Sequence, residues 1–172
     1  VALTLGPDGA IYVADFYNKI IGHYEVPLTH PGRDRERGRI WRIVYRGSSG
    51  GTIPAGPRKN WETATADELV RDLAHPNLVV RTKATNQLVD RIGEPAVKSL
   101  REVLVTNSDP WQRAHALWVL ERLGTFPALG DPEPAVRVHA LRIAGERLLL
   151  QGAHELAIRK LQDPDASVRR AA

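Results

Sequence analysis

Apolar and polar positions change rhythm along this chain. Up to residue 46 they alternate with a period of two. In "AIYVAD", Ile11 and Val13 oppose Tyr12 and Ala14; in "GRIWRIVYR", Ile40, Arg42 and Val44 oppose Trp41, Ile43 and Tyr45. Successive side chains of a strand point to opposite faces, so both stretches predict strands. Asp8-Gly9 ahead of the first predicts a hairpin turn, because glycine adopts positive φ without a Cβ penalty. The intervening "FYNKIIGHYEVPLTHPGRDRER" reads as a long excursion. Residues 47–64 open with "GSSGGTIPAGPRKN", flexible glycine and serine with helix-breaking prolines, and predict a linker. From Thr65 the period becomes 3.6, and amphipathic helices are predicted to the last residue.

Within residues 65–172 a phrase recurs. "HPNLVVRTKATNQL", "DPWQRAHALWVL", "DPEPAVRVHALRIA" and "DPDASVRRAA" each open on Asp-Pro or His-Pro and carry an arginine, at Arg81, Arg113, Arg137 and Arg169. The arginines are spaced by 32, 24 and 32 residues. Aspartate caps free N–H groups and proline suits a first helical position, so each opening is expected to start a helix. Stripes follow: Val80, Ala84 and Leu88; Ala114, Leu117 and Leu120; Val136, Ala140 and Ile143. Intervening helices are predicted at "TADELVRDLA", with the capping-box pair Thr65 and Glu68, at "EPAVKSLREVLV" and at "AHELAIRKLQ". "GTFPALG", residues 124–130, stands where a first helix belongs, so one repeat is shortened. Repeated helix pairs that shield one another's apolar faces predict an α-solenoid behind a small antiparallel β segment.

Composition narrows the chemistry. The chain has no cysteine, which excludes disulfides, thiolate metal sites, cysteine nucleophiles and attached c-type haem within it. No apolar run approaches the ~20 residues needed to span a bilayer. The net charge is +4, yet residues 61–172 hold fifteen basic and fifteen acidic residues. A solenoid that grips phosphates should itself be basic, so nucleic acid is not the expected partner. No Ser/His/Asp constellation, phosphate-cradling loop or zinc signature occurs.

"GPDGAIYVADFYNKIIGH" followed by "HPGRDRERGRIWRIVYRG", running into the helical repeats, resembles one family of large proteins. These are membrane-bound dehydrogenase-like proteins with a glucose/sorbosone-dehydrogenase-like β-propeller, then HEAT repeats, then a PVC-type haem-binding cytochrome c module. The "DPxxxVRxxAxxxL" phrases are themselves similar to short HEAT repeats. The resemblance implies that residues 1–46 are the last propeller blade and 65–172 HEAT repeats. The chain opens in mid-phrase and is expected to be a piece of a longer, extracytoplasmic protein. Haem c, with pyrroloquinoline quinone (PQQ) or calcium, would belong to that parent rather than to this piece. One departure is Arg37, where family members often carry histidine.

The family phrase places Asp15, Asn18 and His23 as candidates to bind a cation (Asp15 and Asn18) or move a proton (Asp15 and His23) at a propeller mouth. Their alternative is structural, as strand-end caps and a backbone contact. Arg33, Asp34, Arg35, Glu36, Arg37 and Arg39 form a mixed run that either docks an acidic partner or stays solvated. Arg81, Arg113, Arg137 and Arg169 are expected to pair with Asp109, Asp131 and Asp163 of neighbouring repeats, as an internal ladder. His115 and His139 follow two of these arginines at the same offset and read as structural, since a metal site needs at least three ligands. Trp111 and Trp118 are expected to pack between repeats. The expectation is a non-catalytic scaffold that meets a protein partner or other domains of its parent. The alternatives are a fragment of a sugar or alcohol oxidoreductase, and a nucleic-acid-binding solenoid.

Overall fold

A computed structural model describes residues 2–15, 20, 25–45, 60–106, 109–125, 130–146 and 153–172. The fold is mostly helical, with a small three-stranded sheet near the N-terminus. Two units separate, Val1–Arg58 and Lys59–Ala172.

In the first unit, β1 (Ala2–Leu5), β2 (Ile11–Asp15) and β3 (Arg39–Ile43) form an antiparallel sheet in the order β1-β2-β3. β1 is too short to show a period, and pairing with β2 defines it. Leu3 lies opposite Val13, and Val13 opposite Trp41; Leu5, Ile11 and Ile43 form the next such row. These six apolar residues therefore share one face. The loop between β1 and β2 closes through Gly6 N–H to Ala10 O at 2.7 Å, and Gly9 takes φ 78°. Asp8 joins turn to sheet. Its Oδ1 accepts from Ala10 N–H at 3.2 Å, and its Oδ2 accepts from Tyr12 Oη at 3.1 Å and Arg42 Nε at 2.7 Å. The Arg42 bond, foremost, holds this carboxyl below its ordinary range.

The second unit begins before the predicted helix. Trp61 and Ala64, in the stretch read as linker, pack on the first core, and Arg91 Nη2 donates to Ala64 O at 2.6 Å and Trp61 O at 3.1 Å. α1 (Ala66–Asp72) starts on the capping box: Glu68 N–H donates to Thr65 Oγ1 at 3.3 Å, and Thr65 N–H to Glu68 Oε2 at 2.8 Å. α2 (Leu78–Gln87) runs into a π-helical turn, Leu88–Ile92, which Gly93 ends at φ 69°. A 3-10 turn, Glu94–Ala96, leads into α3 (Val97–Thr106). α4 (Pro110–Arg122), α5 (Pro134–Glu146), α6 (Ala153–Lys160) and α7 (Ala166–Ala171) follow.

Helices pack on near neighbours in sequence: α1 on α3, α2 and α3 on α4, α4 on α5, and α5 on α6 and α7. Leu69, Leu73, Leu88, Leu100 and Leu120 fill one core; Leu117, Val136, Ala140 and Ile143 fill a second, between α4 and α5. All nine residues of the three predicted stripes are buried.

α4 stops where glycine lets it stop. Gly124 takes φ 73°, Thr125 N–H donates to Leu120 O at 2.8 Å, and Gly124 N–H donates to Glu121 O at 2.9 Å. This is the paired closure of a Schellman motif, whose reversing residue lies in the left-handed region. Gly124→Ala is expected to destabilise the helical unit by about 1–2 kcal/mol, the strain of an L-residue there. Urea denaturation followed by circular dichroism would measure it; a change below a few tenths would show that the turn has an alternative.

Candidate functional site

The Asp-Pro openings do two different jobs. In α4, Asp109 is the helix cap: its Oδ1 accepts from Trp111 N–H at 2.8 Å, with Pro110 as first helical residue. Elsewhere the cap comes two residues after the opening. Asn77 and Asp165 cap α2 and α7, and α5 begins at Pro134 after Glu133. The opening side chain then closes a tight turn on the residue two ahead. His75 Nδ1 accepts from Asn77 N–H at 3.0 Å, Asp131 Oδ1 from Glu133 N–H at 2.8 Å, and Asp163 Oδ1 from Asp165 N–H at 3.1 Å. Proline, which lacks an N–H, fits the middle of this turn.

The arginines read that turn. Arg137 Nη1 reaches back to Asp131 O and Pro132 O at 2.9 and 2.8 Å. Arg81 Nη1 contacts His75 O and Pro76 O at 2.6 and 2.9 Å, and Arg169 Nη1 contacts Asp163 O and Pro164 O at 2.8 and 2.9 Å. Nε and Nη2 then point forward. Arg113 grips Asp131 with both, at 2.8 and 2.9 Å, and Arg137 grips Asp163 at 2.9 and 2.8 Å. The geometry is bidentate, the strongest form of this contact. Both arginines are less than a tenth exposed. Pairing with Asp131 and Asp163 raises the two guanidinium groups above their usual range. Asp163 is held well below the usual carboxylate range, first by Arg137, then by the Asp165 N–H and Lys160.

Asp109 is out of register with this ladder. It stands at the cap position that Asn77 and Asp165 occupy, two residues beyond the turn position of Asp131 and Asp163. Counted from the arginine, Asp163 follows Arg137 by 26 residues, and the same step from Arg81 arrives at Asn107, outside the described residues. Aligning the phrases on Asp-Pro instead of on arginine hides this offset. Arg81 turns its Nε to His115 Nε2 at 3.2 Å.

That contact belongs to a polar seam missing from the ladder expectation. His115 accepts from Arg81 at Nε2, so its proton sits on Nδ1, 3.2 Å from Thr85 Oγ1; Thr85 Oγ1 in turn donates to Arg81 O at 2.9 Å. Three groups thus satisfy one another in a ring across α2 and α4. One step along, Trp118 Nε1 donates to His139 Nδ1 at 3.1 Å, with the rings edge to face at 6.3 Å. Trp118 joins α4 to α5 this way. Trp111 does not pack between repeats: at the second position of α4 it is 54% exposed.

Burial, then Arg81 and His139, push the His115 pKa down to about 4. The unfolded chain takes up this proton near pH 6.5, the folded one only near 4. Stability is therefore expected to fall as pH drops from about 6.5 to about 4. His115→Gln, whose carbonyl can still accept from Arg81, should flatten that part of the profile; an unchanged slope in thermal melts across this window would refute it.

In the first unit, Asp15 ends β2, and its Oδ2 accepts from Trp41 Nε1 at 3.2 Å; Arg39 pairs opposite it. Asn18 and His23, the other two members of the Asp15 group, lie outside the described residues. Among the described residues no three His, Asp or Glu side chains are grouped to hold a metal ion. The basic run folds on itself. Arg33 donates to Val26 O at 2.8 Å and Pro27 O at 3.1 Å, Asp34 Oδ1 accepts from the N–H groups of Glu36 and Arg37, and Arg39 lies over the Trp41 ring at 5.3 Å.

Residues 1–47 match a domain of unknown function, DUF7133. That stretch contains the sheet and the basic loop but none of the helical unit, and its description assigns no activity. No curated protein matches the chain. No described helix is long and apolar enough to cross a membrane.

Proposed function

We propose that this chain is a non-catalytic HEAT-type scaffold within a multidomain, haem-associated dehydrogenase-like protein of extracytoplasmic location. Its helical unit spaces neighbouring domains or offers a protein-docking face. The observation that carries the reading is the repeated bidentate arginine–aspartate pair, which couples one helical element to the next by the same geometry at two successive junctions. A coupling that repeats stiffens an array along its length, which is what a spacer requires. The N-terminal sheet, with its exposed apolar residues Leu3, Ile40 and Ile43, is read as one blade of a larger propeller.

The absence of cysteine makes a direct test available. Single cysteines placed at exposed positions of the helical unit, such as Val105→Cys and Trp111→Cys, would carry photo-cross-linkers in the protein expressed in its own cells. Cross-links to a defined protein or to another domain of the same polypeptide are expected. An absence of any cross-linked product from every position would refute the scaffold reading.

A further inference from the structure

The junctions between successive helices are not closed by the same chemistry. Arg113 and Arg137 meet carboxylates, Asp131 and Asp163. Arg81, where α2 packs on α4, meets an imidazole: its Nε donates to His115 Nε2 at 3.2 Å. A carboxylate keeps its acceptor oxygens down to about pH 4, whereas an imidazole that takes up a proton becomes a donor at both nitrogens. The ring around His115 has no place for that proton. Its Nε2 accepts from Arg81, its Nδ1–H faces Thr85 Oγ1 at 3.2 Å, and the Thr85 hydroxyl proton is spent on Arg81 O at 2.9 Å. A proton on Nε2 would point at the Arg81 N–H and set a second positive charge beside the guanidinium. Among the described residues the charges acting on His115 are Arg81 from α2 and His139 from α5; none comes from α1, α3 or the π-helical turn.

We propose that the Arg81–His115–Thr85 ring is an acid-released latch: protonation of His115 frees Arg81 and opens that end of the α2–α4 junction, while the Arg113–Asp131 and Arg137–Asp163 junctions stay closed. The far end of the same junction has its own tie, Arg122 to Asn86 at 2.8 Å and Asp90 at 3.3 Å, which contains no imidazole. His139 does not make a second latch. Its Nδ1 accepts from Trp118 Nε1 at 3.1 Å, and a proton there breaks this bond too, but the Arg113–Asp131 pair spans the same α4–α5 junction. Opening exposes His115, whose pKa then returns from about 4 towards 6.5, so each opening takes up a proton between those values and grows easier as pH falls. The stability lost in acid is thus spent at one junction rather than over the whole helical unit. The inference goes beyond the scaffold reading and does not rest on it.

The cysteine-free chain allows a direct test. Ala84→Cys places a thiol in the buried face of α2, between Arg81 and Thr85; Ala140→Cys places one in the second core, on α5. Labelling by 4,4′-dithiodipyridine, which reacts with thiols in mild acid, would be followed in the full chain, each rate divided by that of the urea-unfolded chain at the same pH. From pH 6.5 to 4.5 the Ala84→Cys rate is expected to rise about tenfold or more, the yield of one linked proton over that window. The Ala140→Cys rate should stay flat, and adding His115→Gln should remove the rise at Ala84→Cys. Equal rises at both cysteines would mean global unfolding and overturn the proposal. So would a flat Ala84→Cys rate, or a rise that survives His115→Gln. A second measurement needs no core substitution. The Arg81 Nε–H resonance, assigned by NMR from its loss in Arg81→Lys, should shift with pH over this window while that of Arg137 does not. An Arg81 resonance that stays in place would equally refute the latch.

Discussion

Replacing Arg113 with alanine is expected to lower the unfolding free energy of the helical unit by about 3 kcal/mol, the scale for breaking a buried ion pair from one side. The physical reason lies less in the lost attraction than in what is left behind. Asp131 keeps its charge at the α4–α5 junction with its side chain 10% exposed, and two of its hydrogen bonds vanish. Removing both partners should therefore cost less than the sum of the single changes. In Arg113→Ala with Asp131→Ala, a coupling of about 1–3 kcal/mol is expected between the two positions. Urea denaturation of the four proteins measures it. A single-variant loss below about 1 kcal/mol, the ordinary value for an exposed pair, would show that the junction is open to water. Asp163 adds a pH signature. Its folded carboxyl titrates below its unfolded value, so its contribution is present above about pH 4 and is lost as the pH falls further.

Leu120→Ala is expected to cost about 3 kcal/mol, within the range for emptying a buried leucine site. Leu120 is fully buried in the core shared with Leu69, Leu73, Leu88 and Leu100. Residues from α1 through α4 line that space, so neighbours cannot collapse into the cavity without moving several helices. Its carbonyl also accepts from Thr125 N–H, which ties core packing to the end of α4. Val105→Ala, at a position 86% exposed, is the comparison and should stay within about 0.5 kcal/mol of the parent. A leucine variant as mild as the valine one would mean that the two cores are not the source of stability.

Much of this arrangement is legible in the sequence. Thr65 and Glu68 mark a helix start because capping acts between residues three apart. The stripes at Val80, Ala114 and Val136 mark buried faces because burial follows helical period. The bidentate partners were less legible. Asp109-Pro110 and Asp131-Pro132 are the same dipeptide in two registers, one capping a helix and one preceding its start. His115 looks identical to His139 in sequence, yet one accepts from Arg81 and the other from Trp118.

By itself the sequence determined the helices, the strands β2 and β3 and which of their sides are apolar, since those choices depend on a few adjacent residues, whereas β1 is defined by its pairing with β2. The tertiary structure alone decided which arginine meets which acid, that Trp61 and Ala64 belong to the helical unit, and that Trp111 faces water. Those outcomes depend on the distance and rotation between packed helices, quantities that no short stretch of residues contains.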